Sequence, residues 1–317
     1  MRKRTGSESG IVLMLVIWVM AVLLVIVLSV SMAARSQTMS TLAFKDQTQE
    51  KFLAEAGIQR AIMEINYTNK TGGGLELAGE AWKEDGTPYT RQLGSGHYSV
   101  KIVGETGKLD INMVPDVLLK NLMKQLGMQE EDANIVVDSI MDWKDPSGLA
   151  RPNGAGADYY ESLPNPYKPK GANFEELEEL LLVRGMTPQL LYGTGKRKGL
   201  VDFLTVNSKS TAVNVNYAPK EVLLSLPGMG PELADQIITY RESKNISSPQ
   251  ELQALLGPVY GTISPYITAA GTNVFTIEST GFINKQEEGY PIRATVMMDF
   301  TNNSYKYLYY KSPAYRE

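Results

Sequence analysis

From Gly10 to Ala34 the chain carries no charged residue, and Arg2, Lys3 and Arg4 stand immediately before that run. About 20 apolar residues suffice to cross the hydrocarbon core of a bilayer as a helix. A helix is also the one single-segment form that satisfies its own backbone there. The basic cluster is expected to stay on the cytoplasmic side, which sends everything after Ala34 to the other side. A secretory signal peptide is one alternative. Its apolar core is shorter, although Ser31-Met32-Ala33-Ala34 has the small residues of a cleavage site. A plain signal anchor is the other.

Past the apolar run, Ala54, Ile58, Ala61, Ile62 and Ile65 fall on one stripe of an α-helix, with Lys51, Glu55, Gln59 and Glu64 on other faces. Thr71-Gly72-Gly73-Gly74 ends the pattern. Unbroken from Ile11 to Ile65, such a helix is roughly 80 Å long. A coiled coil is the alternative, but the stripe is too short for several heptads.

At 317 residues and 43% hydrophobic content, the chain supports a membrane helix and one or two globular domains. The formal charge is −4; removing residues 1–10 takes away three bases and one acid and leaves 28 against 34, or −6. That balance argues against a general nucleic-acid binder. The absence of Cys excludes disulfides and thiol catalysis. The single His97 sits in the alternating stretch His97–Val103, read as a strand, with no clustered partners for zinc.

Gly96 to Asn112 reads as a β-hairpin with a glycine-containing turn. Three further strands are expected over Phe275–Gly281, Ile292–Phe300 and Tyr305–Tyr310, separated by turns at Asn284–Pro291 and Asn302-Asn303. The expected fold class is α+β: a long N-terminal helix packed on an antiparallel sheet that an insertion splits in sequence. The insertion is helical and repeats itself. Ile111–Leu119 parallels Val215–Leu223, and each is followed by a glycine turn, Leu126-Gly127-Met128 and Leu226-Pro227-Gly228-Met229-Gly230. Aliphatic stripes follow, with Ala133, Val136 and Val137 against Ala234, Ile237 and Ile238. A third turn, Val183-Arg184-Gly185-Met186, is expected to close a helix over Phe174–Leu182.

The turn Pro227, Gly228, Met229 and Gly230 has the form of a helix-hairpin-helix motif of the SAM-like kind. In DNA-binding members the glycines let backbone amides approach a phosphate at a helix N-terminus. Here Glu232 and Asp235 follow, and Lys220 and Arg241 are the nearest bases. A turn used for packing is the preferred reading, and nucleic acid is not an expected partner. Gly193-Thr194-Gly195-Lys196-Arg197-Lys198-Gly199 lacks the upstream Gly and the Ser/Thr after Lys that a phosphate loop requires.

Asp142, Asp145, Asp158 and Glu161 bring four carboxylates into a Gly/Pro-rich stretch. Hard oxygen clusters suit Ca²⁺, though this spacing is not that of an EF-hand. Solvated loop acids are the alternative.

A polar segment ending in Gly10, then an apolar run from Ile11, is the pattern that a prepilin peptidase cuts between those two residues. At these positions the chain resembles the type IV pilin and type II secretion pseudopilin superfamily. The superfamily usually has Glu at the fifth mature position, where this chain has Leu15. An apolar residue there is similar to the minor pseudopilin K of type II secretion; a lone carboxylate in the membrane is costly. Asp142–Gly154, Asp158–Glu161, Pro166–Pro169 and Val183–Pro188 resemble segments of the same family.

The resemblance implies a leader over residues 1–10, a transmembrane helix over 11–34 and its periplasmic continuation over 35–70. A pilin-like sheet would begin over 71–110 and finish over 273–317, with an inserted all-α domain at 111–272. It further implies a non-enzymatic subunit of a bacterial inner membrane, single-pass, with its soluble domain in the periplasm. Its place would be the tip of a secretion pseudopilus. Its partners would be the I- and J-type minor pseudopilins, the major pseudopilin and the prepilin peptidase, with membrane lipid around the helix. Calcium is a further implied ligand, at Asp142, Asp145, Asp158 and Glu161. A type IV pilus minor pilin and a DNA-uptake protein remain as alternatives.

Overall fold

The computed structural model describes residues 8–75, 81–195, 197–283 and 289–314. Arg2, Lys3, Arg4, Lys196 and the stretch from Asn284 to Glu288 lie outside them. The apolar run and its continuation form one helix, α1 (Glu8–Thr71), of 64 residues, roughly 96 Å long at ~1.5 Å per residue. It stops where Gly72 takes φ +73°, a left-handed cap that a side chain resists.

Strands β1 (Tyr89–Leu93) and β2 (Gly96–Gly104) follow. The insertion then runs through β3 (Leu109–Asp110), α2 (Asp116–Gln125), α3 (Glu130–Lys144), α4 (Ala157–Glu161) and α5 (Pro188–Tyr192). It continues through β4 (Gly193–Thr194), β5 (Arg197–Lys198), β6 (Leu204–Thr205), β7 (Val213–Asn214), α6 (Lys220–Leu224) and α7 (Pro231–Ser243). Its last elements are α8 (Pro249–Leu256), α9 (Tyr260–Ile263) and β8 (Ile267–Thr268), after which come β9 (Val274–Ile283), β10 (Tyr290–Asp299) and β11 (Ser304–Lys311).

The sheet is antiparallel with the order β1-β2-β9-β10-β11. Its centre is the β2–β9 pair, which joins the two halves of the sequence and sets Gly104 opposite Phe275. Both ends of the insertion therefore leave from the same end of adjacent strands, and the sheet closes without them. The α1 stripe Ala54, Ile58, Ala61, Ile62 and Ile65 is buried against Val100, Ile102, Ile277, Ile292, Ala294 and Val296. Each Ile or Val among them contributes about 1.5–3 kcal/mol when fully buried. The approach is close enough that a Cβ on Gly57 would meet Ser279 Oγ at 2.1 Å and one on Gly281 would meet Glu50 O at 2.0 Å. The insertion has its own, separate core, built on Leu118, Leu122, Val136, Ile140, Leu223, Ala234 and Ile237.

Two expectations are corrected. The hairpin turns at Gly94-Ser95, between β1 and β2, and the first half of the sheet ends at Gly104 rather than at residue 110. The reason lies in the residues that follow. Glu105–Gly107 form a 3-10 turn under Tyr217, where a Cβ on Gly107 would stand 2.6 Å from the Tyr217 backbone. From there β3 pairs in parallel with β6 and belongs to the insertion. The second correction is at 174–182, where the helix is a 3-10 turn over Leu177–Leu182. Asn112 holds both backbone groups of Phe174, so the chain stays extended through Glu176 and the turn starts late.

The repeat in sequence is a repeat in structure. β3 pairs in parallel with β6, and β7 pairs in parallel with β8. Each short strand leads into a turn and a helical hairpin, α2–α3 and α6–α7. At the end of each second helix a cation returns to carbonyls of its own entry turn. Lys144 Nζ donates to Ile111 O at 2.9 Å and Asn112 O at 3.1 Å; Arg241 Nη1 donates to Val215 O at 2.8 Å and Ala218 O at 2.7 Å. Burial holds both cations below their ordinary pKa.

Candidate functional site

The lower part of α1 is the feature with the plainest chemistry. Every residue from Ile11 to Val30 is exposed, and the mean hydropathy of its most apolar stretch is 3.5. A soluble chain does not leave a continuous apolar surface of this size to water, so lipid or protein must cover it. Gly10 and Ile11 lie in the first turns of that helix, and a Cβ added at Gly10 would meet nothing within 4 Å. Among the described residues, nothing packs against Gly10 at the bond expected to be cut.

Farther along α1 an aromatic surface stands beside the helix. β11 pairs with β10 through a bulge between Thr295 and Val296, which leaves Leu308 as the extra residue. The bulge re-phases the strand. Tyr305, Tyr307 and Tyr310 stand opposite Met298, Val296 and Ala294, whose side chains face α1, so all three tyrosines lie on the α1 side. Their rings meet edge to face at 5.4 and 5.5 Å. Gln59 bridges two of them, donating to Tyr307 Oη at 3.0 Å and accepting from Tyr305 Oη at 3.2 Å. Phe52 and Met63, on the same face of α1 as Gln59, are 63% and 57% exposed. Sequence periodicity misses this surface because a bulge is not visible in an unbroken run of strand-forming residues.

The helix-hairpin-helix turn is formed as expected. Gly228 takes φ +79°, Met229 is buried, and Gly230 caps α7. Its electrostatics do not suit a phosphate. Lys220 is paired with Asp235, Arg241 is turned inward onto carbonyls, and Glu232 lies in the first turn of α7. A negative side chain at a helix N-terminus occupies the position an anion would need.

The four acids expected to hold calcium do not converge. Asp142, at the end of α3, is 3% exposed and accepts from Arg151 N through both oxygens, at 3.2 and 3.0 Å. The Arg151 guanidinium lies 3.5 Å from it. Asp145 turns away to accept from Ser147 N at 2.9 Å, and these bonds hold its pKa below the usual carboxylate range. Asp158 is exposed on α4, and Glu161 pairs with Lys168 at 3.6 Å. Among the described residues no group of three His, Cys, Asp or Glu side chains is placed to hold a metal ion. The residues present do not fit Ca²⁺, which needs six to eight oxygens at about 2.3–2.6 Å. The acid that does stand beside Asp142 is Asp138, one helical turn earlier and 8% exposed. Its sequence signal is the i, i+4 spacing of Asp138 and Asp142 on α3.

A cavity of about 290 Å³ separates the sheet from the insertion, lined in part by Glu105, Lys108, Thr205, Thr276, Arg293 and Tyr309. Its floor is a closed polar set, in which Glu105 accepts from Lys108 and Thr205. These donors outweigh the cost of burial and hold the Glu105 carboxyl below its ordinary pKa.

The fold and the family comparisons agree. Residues 105–193 match the model of the family described as type II secretion system protein K, and residues 208–257 match the helix-hairpin-helix motif. The chain is 25% identical to the type II secretion system protein K of Pseudomonas aeruginosa over 240 residues, covering 72% of this chain and 68% of that protein. It is 24% identical to the protein of the same name from Pectobacterium carotovorum over 203 residues, covering 60% of this chain and 61% of that protein. The fold is similar to a chain in the crystal structure of the GspK-GspI-GspJ complex from enterotoxigenic Escherichia coli. The TM-score is 0.54 at 15% identity, covering 88% of this chain and 98% of that one. In residues 105–193 and in its relatives this chain is similar to the type II secretion system protein K family, and its architecture is similar to that of the solved chain.

Proposed function

We propose that this chain is the minor pseudopilin that caps a type II secretion pseudopilus, anchored in the inner membrane by α1 with its soluble part in the periplasm. The carrying observation is where the insertion hangs. Gly96, at the start of β2, packs beside Leu53, whereas the turn between β10 and β11 reaches Asn66 and Lys70 through Asn303. Strand ends Gly104 and Val274 therefore lie toward the far end of α1 from the apolar run. A bulky domain there sits above the stalk, where a further subunit would otherwise stack. Leu15, at the fifth position after Gly10, supports the same reading, because it offers no carboxylate to the amine of a subunit ahead of it.

The partners we assign are the I- and J-type minor pseudopilins, with the major pseudopilin below and the prepilin peptidase acting on the leader. The exposed length of α1 and the tyrosine surface beside it supply the assembly face; Tyr, Phe and Met are the residues that interface cores favour. The test is co-purification of the full, detergent-extracted chain with tagged I- and J-type subunits. Retention is expected, with loss when Tyr305, Tyr307 and Tyr310 are replaced together by Ser. A folded chain that retains neither subunit would sink the assignment.

A further inference from the structure

We propose that the acidic loop between α3 and α4 is a latch closed by the chain's own cation and amides, so that the inserted domain folds without a divalent ion. Asp138 and Asp142 face the same side of α3, and the loop folds back onto both. Asn153 donates to Asp138 Oδ2 through Nδ2 at 3.0 Å and through its backbone N–H at 3.3 Å. Arg151 gives Asp142 its backbone N–H and its guanidinium. Lys120, 3.8 Å from Asp138, supplies the second positive charge. Two buried carboxylates thus meet two cations, which is the balance a divalent ion would bring.

The space is filled as well. A Cβ on Gly154 would lie 1.8 Å from Asp142 Oδ2 and 3.2 Å from Asp138 O, so the loop backbone sits where an ion would have to stand against Asp142. The Gly154 carbonyl, a ligand type that Ca²⁺ uses, accepts instead from Arg184 Nη1 at 2.9 Å. Arg184 lies in turn over the Tyr159 ring at 4.9 Å, which ties the loop to the turn after Leu182. Asp145, Asp158 and Glu161, the remaining acids of the stretch, point to other partners or to solvent. The inference concerns folding of the insertion and holds whatever the chain assembles with.

The test uses the full chain in detergent, melted in EDTA and in millimolar Ca²⁺. Superimposable curves are expected. Arg151→Gln and Asp142→Asn should each lower the melting temperature in both buffers, and the double variant should lose less than the sum of the two. A calcium-dependent rise in the parent chain that Asp142→Asn abolishes would overturn the proposal, as would strict additivity. Terbium luminescence gives a readout that needs no variant, since Trp143 adjoins Asp142 and would sensitise a lanthanide bound there. No saturable, calcium-displaceable signal is expected, and its appearance would refute the latch.

Discussion

Asn112 and Asn216 make the same pair of hydrogen bonds at corresponding places in the two halves of the insertion. Asn112 Nδ2 donates to Phe174 O at 2.9 Å and its Oδ1 accepts from Phe174 N at 2.8 Å. Asn216 Nδ2 donates to Ile246 O at 2.9 Å and its Oδ1 accepts from Ile246 N at 2.9 Å. Each amide imitates a strand partner for a distant residue, closing the segment that follows its helical hairpin. A side-chain amide offers a donor and an acceptor side by side at fixed spacing.

This equivalence carries a graded prediction. Asn216 is 8% exposed, whereas Asn112 is half-buried. Asn216→Ala leaves a buried N–H and a buried carbonyl without partners, at about 1–3 kcal/mol each. Asn112→Ala should cost less, because water reaches its site. Asn216→Asp should be nearly as harmful as Ala, since a carboxylate oxygen would then face the Ile246 carbonyl. Melting temperatures of the three variants check the order; an Asn216→Ala chain that melts like the parent would refute the clamp.

The junction between sheet and insertion is expected to respond to pH through Glu84. Burial pushes the Glu84 carboxyl up to about 7, only partly offset by the hydrogen bond from the Tyr217 hydroxyl. The backbone carbonyl of the same residue accepts from Gly104 N at 2.9 Å, at the point where the chain leaves the sheet. A carboxyl whose folded pKa is raised favours the folded state while it is protonated. That contribution is fully present below pH about 4.5 and is lost as pH rises through about 7. The loss is at most about 3 kcal/mol, by ~1.4 kcal/mol per pKa unit, and smaller to the extent that the half-buried side chain keeps water. Glu84→Gln should flatten the pH dependence and melt higher than the parent at pH 8. Parallel pH profiles for the two chains would rule this out.

Processing is expected between Gly10 and Ile11. Mass spectrometry of the membrane-extracted protein should find a mature chain beginning at Ile11. Gly10→Leu should leave the leader attached, because the peptidase has to accommodate that position. The variant should fold as the parent does, since a Cβ at Gly10 meets nothing within 4 Å. A mature terminus after Ala34 would instead mean an exported soluble protein.

How much of this was legible in the sequence depended on the range of the interaction. The α1 stripe from Ala54 to Ile65 and the three strands after residue 273 repeat with the period of their own backbone, so local patterning locates them. The doubled insertion was visible because each copy writes the same turn and stripe. The hairpin turn is misplaced from sequence because Gly104 is required by the ring of Tyr217 and Gly107 by its backbone, more than a hundred residues away. The acidic loop is not legible locally for a similar reason. Four acids close in sequence look like a ligand set, but whether they meet depends on where Arg151, Asn153 and Arg184 reach. The tyrosine surface depends on a bulge opposite Thr295 and Val296, a property of pairing that the strand does not carry alone.

The glycine turn at Pro227–Gly230 is the last point on which a nucleic-acid reading and a packing reading part company. Phosphate-driven binding needs free cations beside the turn. Here Lys220 is paired with Asp235, Arg241 is committed to Val215 O and Ala218 O, and Glu232 stands in the first turn of α7. The soluble part should therefore show no salt-sensitive DNA affinity, whereas even nonspecific binders reach roughly 10⁻⁴ to 10⁻⁶ M at physiological salt. The turn should matter for stability instead. Gly228, at φ +79°, sits where an L side chain costs of order 1–3 kcal/mol, so Gly228→Ala should lower the melting temperature while leaving Lys220→Ala close to the parent. DNA binding that weakens with added salt and disappears in a folded Gly228→Glu chain would return the motif to the uptake reading.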